Sequence, residues 1–361
     1  MTADPAKRIL IAPLDWGFGH TTRCIPIIRR LLRDKREVIF AGNDIQQTFI
    51  HSFFPDLTMV PLEGYDVHYS ASSLFLTLFS QFPRLKRKIR EEHDWLMDNC
   101  QKLGIDRIIS DNRYGLWHPE IPSVIMTHQA EIQTGMGHLS NQLIRKLHYQ
   151  YLNRFQECWI VDQEEQPNLG AALSHPSRLS GNSKYIGWLS QFEKPAVATS
   201  SDHLLVLLSG PEPQRSILSD LLWTQCCLLD TPIIFVEGNA QISRNRVPTH
   251  IRHFSILMNE PLQDCMERAQ VVICRSGYSS LMDLLLLGKP AILIPTPGQT
   301  EQEYLARQLN AQGYFYSEKQ VGFSLEAALK RYTGYDATPL SNAYQTDYFV
   351  RALDDFMNAN K

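Results

Sequence analysis

A histidine set directly after a pair of closely spaced glycines is the first feature of the chain with chemical content. Leu14-Asp15-Trp16-Gly17-Phe18-Gly19-His20 follows an apolar run and leads through Thr21-Thr22-Arg23 into an apolar-periodic helix. Gly17 and Gly19 permit a tight turn and close backbone approach, and amides at a helix start favour an anion or a developing alkoxide. His20 then carries a ring suited to proton transfer near neutral pH. A glycine turn with a capping histidine would look the same in this segment alone. The dinucleotide fingerprint GxGxxG would need glycine at position 22, where the chain has Thr22, so nicotinamide chemistry is disfavoured.

The second informative stretch is Val271–Leu305, which runs VVIC, then Arg275-Ser276-Gly277-Tyr278-Ser279-Ser280, then an apolar helix, GKP, AILI and PTPGQTEQ. Ser276, Gly277 and Ser279 at a helix start can offer amides and hydroxyls to a phosphate. Asp283 follows within that helix, where a carboxylate can accept from a vicinal diol such as a ribose; a solvated helix face is the plainer reading. Glu301 and Gln302 suit sugar hydroxyls, although Glu301 also fits as a helix N-terminal charge. Asp111, ending the run Ile108-Ile109-Ser110-Asp111, could orient His20 or could simply form a turn with Asn112 and Gly115. His128-Gln129 has the same ambiguity.

These residues need a scaffold that brings loops together, and the chain supplies one. Apolar β-type runs at Arg8–Ala12, Glu37–Ala41, Leu57–Val60, Ile105–Ile109, Val124–Thr127 and Trp159–Val161 alternate with helical patterns near Thr21–Arg33, Asp44–Phe53, Leu85–Leu103 and Leu139–Phe155. The pattern restarts with strands at Leu204–Leu208, Ile233–Val236, Val271–Cys274 and Ala291–Ile294 and helices at Gln214–Leu229, Leu262–Arg268, Ser279–Leu287 and Glu301–Asn310. The class is α/β, with two doubly wound, Rossmann-like domains. We expect an N-terminal domain over residues 1–189, a polar linker over 190–202, a second domain over 203–340 and a last helix in 341–361 that packs back on the first domain. Ligands of such sheets bind beyond the carboxyl ends of the strands, so the expected site is a cleft between the domains.

Composition excludes several classes. With 35 Lys and Arg against 38 Asp and Glu the chain has no broad basic field, and nucleic acid is not expected as a partner. Seven scattered cysteines show neither CxxC nor zinc-ligand spacing, which points to a reducing cytoplasm rather than a disulfide framework. No DxD pair is present, so no metal ligands for a bound diphosphate are visible. No secretion signal is visible and no apolar run approaches a membrane span. One segment, Leu74–Phe82 joined to the basic cluster Arg84–Arg90, has the composition of an interfacial anchor; a buried helix with a solvated basic face is the competing reading.

Taken together, the GxGH loop, CRSG, the carboxylate at Asp283, GKP and the Glu301-Gln302 pair resemble the nucleotide-sugar glycosyltransferases of the GT-B fold. The resemblance is strongest to glycosyltransferase family 28, the group of the bacterial lipid-linked N-acetylglucosaminyltransferases. It implies a metal-independent, inverting transfer from a UDP-sugar to an acceptor hydroxyl, with the nucleotide-sugar as co-substrate, no further cofactor and an acceptor that is a sugar or is lipid-linked. On that resemblance His20, in the Gly17–Gly19 acceptor loop, is the base; Ser276 and Gly277 face the diphosphate, Asp283 the ribose and Gln302 the sugar. The backbone at Met258 and Asn259 lies at the base. Asp283 stands where the family usually has Glu, a shorter reach. The family's glycine-rich phosphate loop corresponds to Ser209-Gly210-Pro211-Glu212-Pro213-Gln214-Arg215, where two prolines remove amide donors and Arg215 could offset them. A cytoplasmic enzyme peripheral to an anionic inner membrane face fits this picture. An epimerase or hydrolase of nucleotide-sugars on the same fold, or a non-catalytic nucleotide-sugar or lipid binder, stays open.

Overall fold

The computed structural model describes residues 7–65, 74–132, 138–194, 201–333, 335, 344–345 and 347–359, with backbone alone for 74–82, 138–140 and 143. The chain divides into two compact units, Met1–Gln191 with Gln345–Lys361, and Phe192–Tyr344. The division falls at the start of the polar segment read as a linker. Its early part is held on both sides: Arg29 donates to the Gln191 carbonyl (3.3 Å), and Gln263 donates to the Glu193 carbonyl (2.8 Å). Residues 195–200 of that segment lie outside the described residues.

The first unit is built on β1 (Arg8–Pro13), β2 (Glu37–Gly42), β3 (Thr58–Pro61), β4 (Arg107–Asp111), β5 (Ser123–Thr127), β6 (Glu157–Ile160) and β7 (Ser183–Tyr185), with α1 (Phe18–Arg33), α2 (Asp44–His51), α3 (Leu74–Asn99) and α4 (His138–Leu152). All seven strands are parallel, in the order β3-β2-β1-β4-β5-β6-β7. Ile9, Leu10, Ile11 and Ala12 are wholly buried, as a central strand covered on both faces requires. The order reverses between β1 and β4, and their register sets Pro13 beside Asp111. That is the switch point where open parallel sheets bind ligands.

The second unit carries β8 (His203–Leu207), β9 (Ile233–Val236), β10 (Ile251–Phe254), β11 (Ala269–Cys274), β12 (Ala291–Leu293) and β13 (Tyr316–Ser317), again all parallel, ordered β10-β9-β8-β11-β12-β13. Its helices are α5 (Gln214–Cys226), α6 (Asn259–Glu267), α7 (Tyr278–Leu287), α8 (Thr300–Ala311) and α9 (Leu325–Tyr332). Here the reversal lies between β8 and β11, so the loops after Leu207 and Cys274 occupy the switch point. Leu218, Leu222 and Cys226 of α5 and Leu325 and Ala328 of α9 seal one face of this sheet.

Several expected boundaries are corrected. Helix α1 starts at Phe18 rather than near Thr21, because Gly17 takes a left-handed φ of 77° and turns the chain straight into the helix. Helix α3 runs from Leu74 to Asn99 instead of Leu85 to Leu103, carrying Pro83 in its interior, where proline ordinarily signals a break. The apolar part of the anchor segment, Leu74–Phe82, is therefore helical, but its side chains lie outside the described residues. Beyond it Ile89 is buried, Arg84, Lys86, Arg87 and Arg90 are exposed, and Lys88 pairs with Glu63 at 3.0 Å. Among the described residues no helix is long and apolar enough to cross a membrane.

A last helix, α10 (Asp347–Asn358), closes the first unit. Its apolar stripe of Phe349, Ala352, Leu353, Phe356 and Met357 is buried, Phe356 meets Trp159 edge-on at 5.7 Å, and the buried Arg107 donates to the carbonyls of Phe356 (3.3 Å) and Ala359 (2.7 Å). These bonds satisfy carbonyls that a helix end leaves over. Truncating Phe356 to Ala should lower the unfolding free energy of the first unit by about 3 kcal/mol or more, read by urea titration of intrinsic fluorescence. A loss below about 1 kcal/mol would mean that α10 is not part of that unit's core.

Candidate functional site

In the first unit, four side chains converge at the β1–β4 switch point. Asp111 ends β4 and is wholly buried, and both its oxygens accept from the buried Arg23 guanidinium, through Nε and Nη2. His20 places Nδ1 3.1 Å from Asp111 Oδ1 and 2.8 Å from Arg23 Nη2. Arg23 Nη1 donates to His128 Nδ1 at 2.8 Å. His20 and Arg23 are neighbours because both sit on α1 three residues apart, one turn of helix. Gly17 caps α1 without a side-chain bond, and no acidic residue stands in the first turn.

The electrostatics follow from burial and from Arg23. Burial alone would raise the Asp111 carboxyl, but Arg23 and His20 outweigh it and hold it at about 2, so Asp111 is ionised at any working pH. Burial lowers the His20 ring below its ordinary value; Asp111 pulls it upward, while Arg23 and His128 push it down. His20 is thus neutral at neutral pH, the state in which imidazole accepts a proton.

In the second unit, the loop after β11 is fixed from beneath. The buried Arg275 donates to the carbonyls of Ile294 (3.1 Å), Pro295 (3.2 Å) and Gln214 (2.8 Å), tying together the loops that follow β11, β12 and β8. Burial lowers its guanidinium to about 10, so it remains a cation under the start of α7. Helix α7 is capped by Gly277 with no side-chain bond and has no acid in its first turn. Ser276 is wholly buried, and its hydroxyl donates to the Gln302 carbonyl at 2.8 Å. Gln302 in turn accepts from the Thr296 amide at 2.9 Å through Oε1. Ser276 therefore joins α7 to α8, and a phosphate here would use backbone amides rather than this hydroxyl.

Asp283 is buried in α7 instead of lying on a solvated face, and Glu301 is half-buried in the first turn of α8. Met258 caps α6, whose first residue, Asn259, has a left-handed φ of 58°. After β8, Ser209 and Gly210 are exposed. Gly238 is required to be glycine: a Cβ there would meet the Leu208 carbonyl at 2.3 Å. Arg215 donates to Gly238 O (2.5 Å) and to one oxygen of Glu212 through Nε (3.1 Å) and Nη2 (2.7 Å). The other Glu212 oxygen accepts from the Ser216 amide (3.2 Å), and Asn239 donates to the first at 3.2 Å. A carboxylate of the chain thus takes the donors that a phosphate at this loop would need.

The structure brings His20 and Asp111 together in one unit and Ser276, Gly277 and Gln302 in the other. Arg23 and Arg275 were given no role by sequence reasoning. Arg23 carried a signal, its helical spacing from His20; Arg275 carried a weaker one, a lone cation at the end of the apolar run VVIC. Among the described residues no group of His, Cys, Asp and Glu side chains could hold a metal ion.

Comparison with known proteins bears on the fold and on the family that the chain resembles. Residues 239–353 match the glycosyltransferase family 28 C-terminal domain. The chain is 26% identical over 339 residues, 89% of its length and 85% of the relative's, to the UDP-N-acetylglucosamine--N-acetylmuramyl-(pentapeptide) pyrophosphoryl-undecaprenol N-acetylglucosamine transferase of Gloeothece citriformis. In fold it is similar to the crystal structure of Acinetobacter baumannii MurG (TM-score 0.61, 14% identity, 98% of this chain and 100% of that one) and to the kitacinnamycin glycotransferase (TM-score 0.64, 14% identity, 98% and 96%). The chain is a glycosyltransferase of the GT-B fold that carries, over residues 239–353, the C-terminal domain of glycosyltransferase family 28.

Proposed function

We propose that the protein transfers a sugar from a UDP-sugar to a hydroxyl of a lipid-linked acceptor, with inversion and without a metal. The observation that carries this reading is the neutral His20 beside the ionised Asp111 at the first unit's switch point. His20 removes the acceptor hydroxyl's proton as its oxygen bonds to the anomeric carbon. The bond from that carbon to the diphosphate breaks in the same displacement, and its electron pair leaves on the diphosphate. The start of α7, whose first turn holds no acid, with Arg275 beneath it supports that developing charge. Asp283 and Gln302 serve the ribose and the sugar. The Gloeothece citriformis relative, by its name, uses UDP-N-acetylglucosamine and a pyrophosphoryl-undecaprenol acceptor, which makes these the first donor and acceptor class to supply.

The direct test is transfer from UDP-N-acetylglucosamine, other UDP-sugars and dTDP-sugars to undecaprenyl-pyrophosphoryl acceptors, with the product's anomeric configuration read by NMR. His20→Ala should lower turnover by about 100-fold or more with donor binding intact. Turnover near that of the wild type would remove His20 as the base, and donor conversion without any acceptor would favour an epimerase or hydrolase.

Calorimetric titration with UDP examines the second unit separately. Asp283→Ala should weaken UDP by about one to two decades, the effect of losing charged hydrogen bonds worth about 1.5–3 kcal/mol. Unchanged affinity would place Asp283 outside the nucleotide site.

The same titration reads the loop after β8. If Arg215 also serves the diphosphate, Glu212→Gln should tighten UDP by up to about fivefold, the range of a partly exposed ion pair. An unchanged or weaker affinity would confine the diphosphate to the α7 start.

A further inference from the structure

Arg23 engages three other side chains of the first unit, Asp111, His20 and His128, and no role in the reaction has been assigned to it above. Its guanidinium presents one edge, Nε and Nη2, to both oxygens of Asp111, the fork-on-carboxylate geometry that lysine cannot reproduce. Its remaining reach goes to two imidazoles: Nη1 lies 2.8 Å from His128 Nδ1 and Nη2 lies 2.8 Å from His20 Nδ1. A guanidinium can only donate. His128 Nδ1 must therefore accept, which puts the proton of that neutral ring on Nε2. A second proton on His128 would set two cationic donors face to face.

His20 stands differently, because its Nδ1 is also 3.1 Å from Asp111 Oδ1. Arg23 Nη2 asks this nitrogen to accept and Asp111 asks it to donate; with the Nη2 hydrogen given to Asp111 Oδ1, Nδ1 donates to Asp111 and the Nε2 lone pair is left for an acceptor hydroxyl. Without Arg23, the uncompensated Asp111 charge would draw a further proton onto the ring and convert the base into an imidazolium. With Arg23 in place, that imidazolium would face a guanidinium at hydrogen-bond distance. The groups around His20 are Arg23 and Cys24 on its own helix, Asp111 from the end of β4, and His128 from the loop after β5; Cys24 donates its thiol to the His20 carbonyl at 3.4 Å.

We propose that Arg23 is the positioning residue of the acceptor-side base: its one guanidinium orients Asp111 and both histidines and opposes a second proton on His20, so that the base keeps its lone pair. The inference rests on the reading of His20 as the base, yet it concerns the protonation of the free protein and can be tested without substrate.

The experiment is long-range proton–nitrogen NMR of the histidine rings in the full-length chain, titrated from pH 8 to pH 5, on wild type, Arg23→Gln, Arg23→Lys and the double variant Arg23→Gln/Asp111→Asn. In the wild type, His128 should show a bare, accepting Nδ1, and His20 should remain neutral at pH 6. Arg23→Gln should raise the proton affinity of His20 at least tenfold. Arg23→Lys keeps the charge but not the fork, so it should restore the low His20 affinity while leaving the His128 Nδ1 signal altered. The double variant removes cation and anion together and should return His20 toward the wild type; it also serves if Arg23→Gln does not fold. A proton on His128 Nδ1, a protonated His20 at pH 6 in the wild type, or unchanged His20 titration in folded Arg23→Gln would each overturn the proposal. Loss of transfer in His20→Ala together with unchanged titration in Arg23→Gln would remove the role of Arg23 and keep the base. Normal transfer in His20→Ala together with the predicted titrations would remove the base and keep the network.

Discussion

A carboxylate with no exposure to solvent cannot stay ionised alone, and the first unit depends on how Asp111 is satisfied. Moving such a charge out of water costs several kcal/mol even after relaxation, and only a cation in good geometry offsets it. Arg23 supplies that cation from α1, through both carboxylate oxygens. The requirement reaches well beyond the pair. It demands that β1 and β4 be adjacent, so that the end of β4 meets the helix following β1; it demands that α1 begin early enough to aim residue 23 inward; and it is Gly17, in its left-handed conformation, that lets the helix begin at Phe18. The histidines are placed by the same demand, since each reaches the guanidinium through Nδ1.

The second unit meets a related constraint in another way. Arg275 is also a buried cation, but its hydrogen bonds go to three carbonyls and not to an acid. Its charge is therefore not cancelled locally and contributes to the field at the start of α7, while its bonds hold the loops after β8, β11 and β12 in fixed relation. One side chain thus serves both as a tether and as a source of positive potential. The Ser276–Gln302–Thr296 chain of hydrogen bonds adds a second tether between α7 and the loop before α8. A loop anchored in this way can present backbone amides without having to order itself when a ligand arrives.

How much of this was legible follows from the same physics. The inner strands could be read because a strand covered on both faces is a continuous apolar run, as in Arg8–Pro13 and Ala269–Cys274. The strands that went unread, β7, β10 and β13, lie at sheet edges or run only two residues, and their side chains are mostly half-buried, so no clear pattern forms. Helix α3 was cut short because proline is ordinarily a stop and Pro83 is not. In the site, His20 and Asp111 could be picked out because Asp111 ends an apolar strand and His20 follows one across a short glycine turn. Arg23 was hidden because a charged residue in a helix reads as solvent-facing until the fold shows what lies opposite it. Glu212 was hidden for the complementary reason: its prolines drew notice as lost donors, whereas its carboxylate is what takes the remaining ones.

Helix starts give the last step of this argument. Where a helix begins with an acid in its first turn, the positive end of its dipole is offset within the chain, as in α2 with Asp44, α6 with Glu260, α8 with Glu301 and Glu303, and α9 with Glu326. Helix α5 reaches the same result from outside its first turn, through Glu212. Helices α3 and α4 also have no acid in the first turn. The helices that follow β1 and β11, strands flanking the two switch points, both begin after a glycine, with no acid in the first turn and no side-chain bond from the cap residue. Each of these helix starts directs the positive end of its dipole to a switch point, in the first unit at the turn that holds His20 and in the second at the loop that holds Arg275.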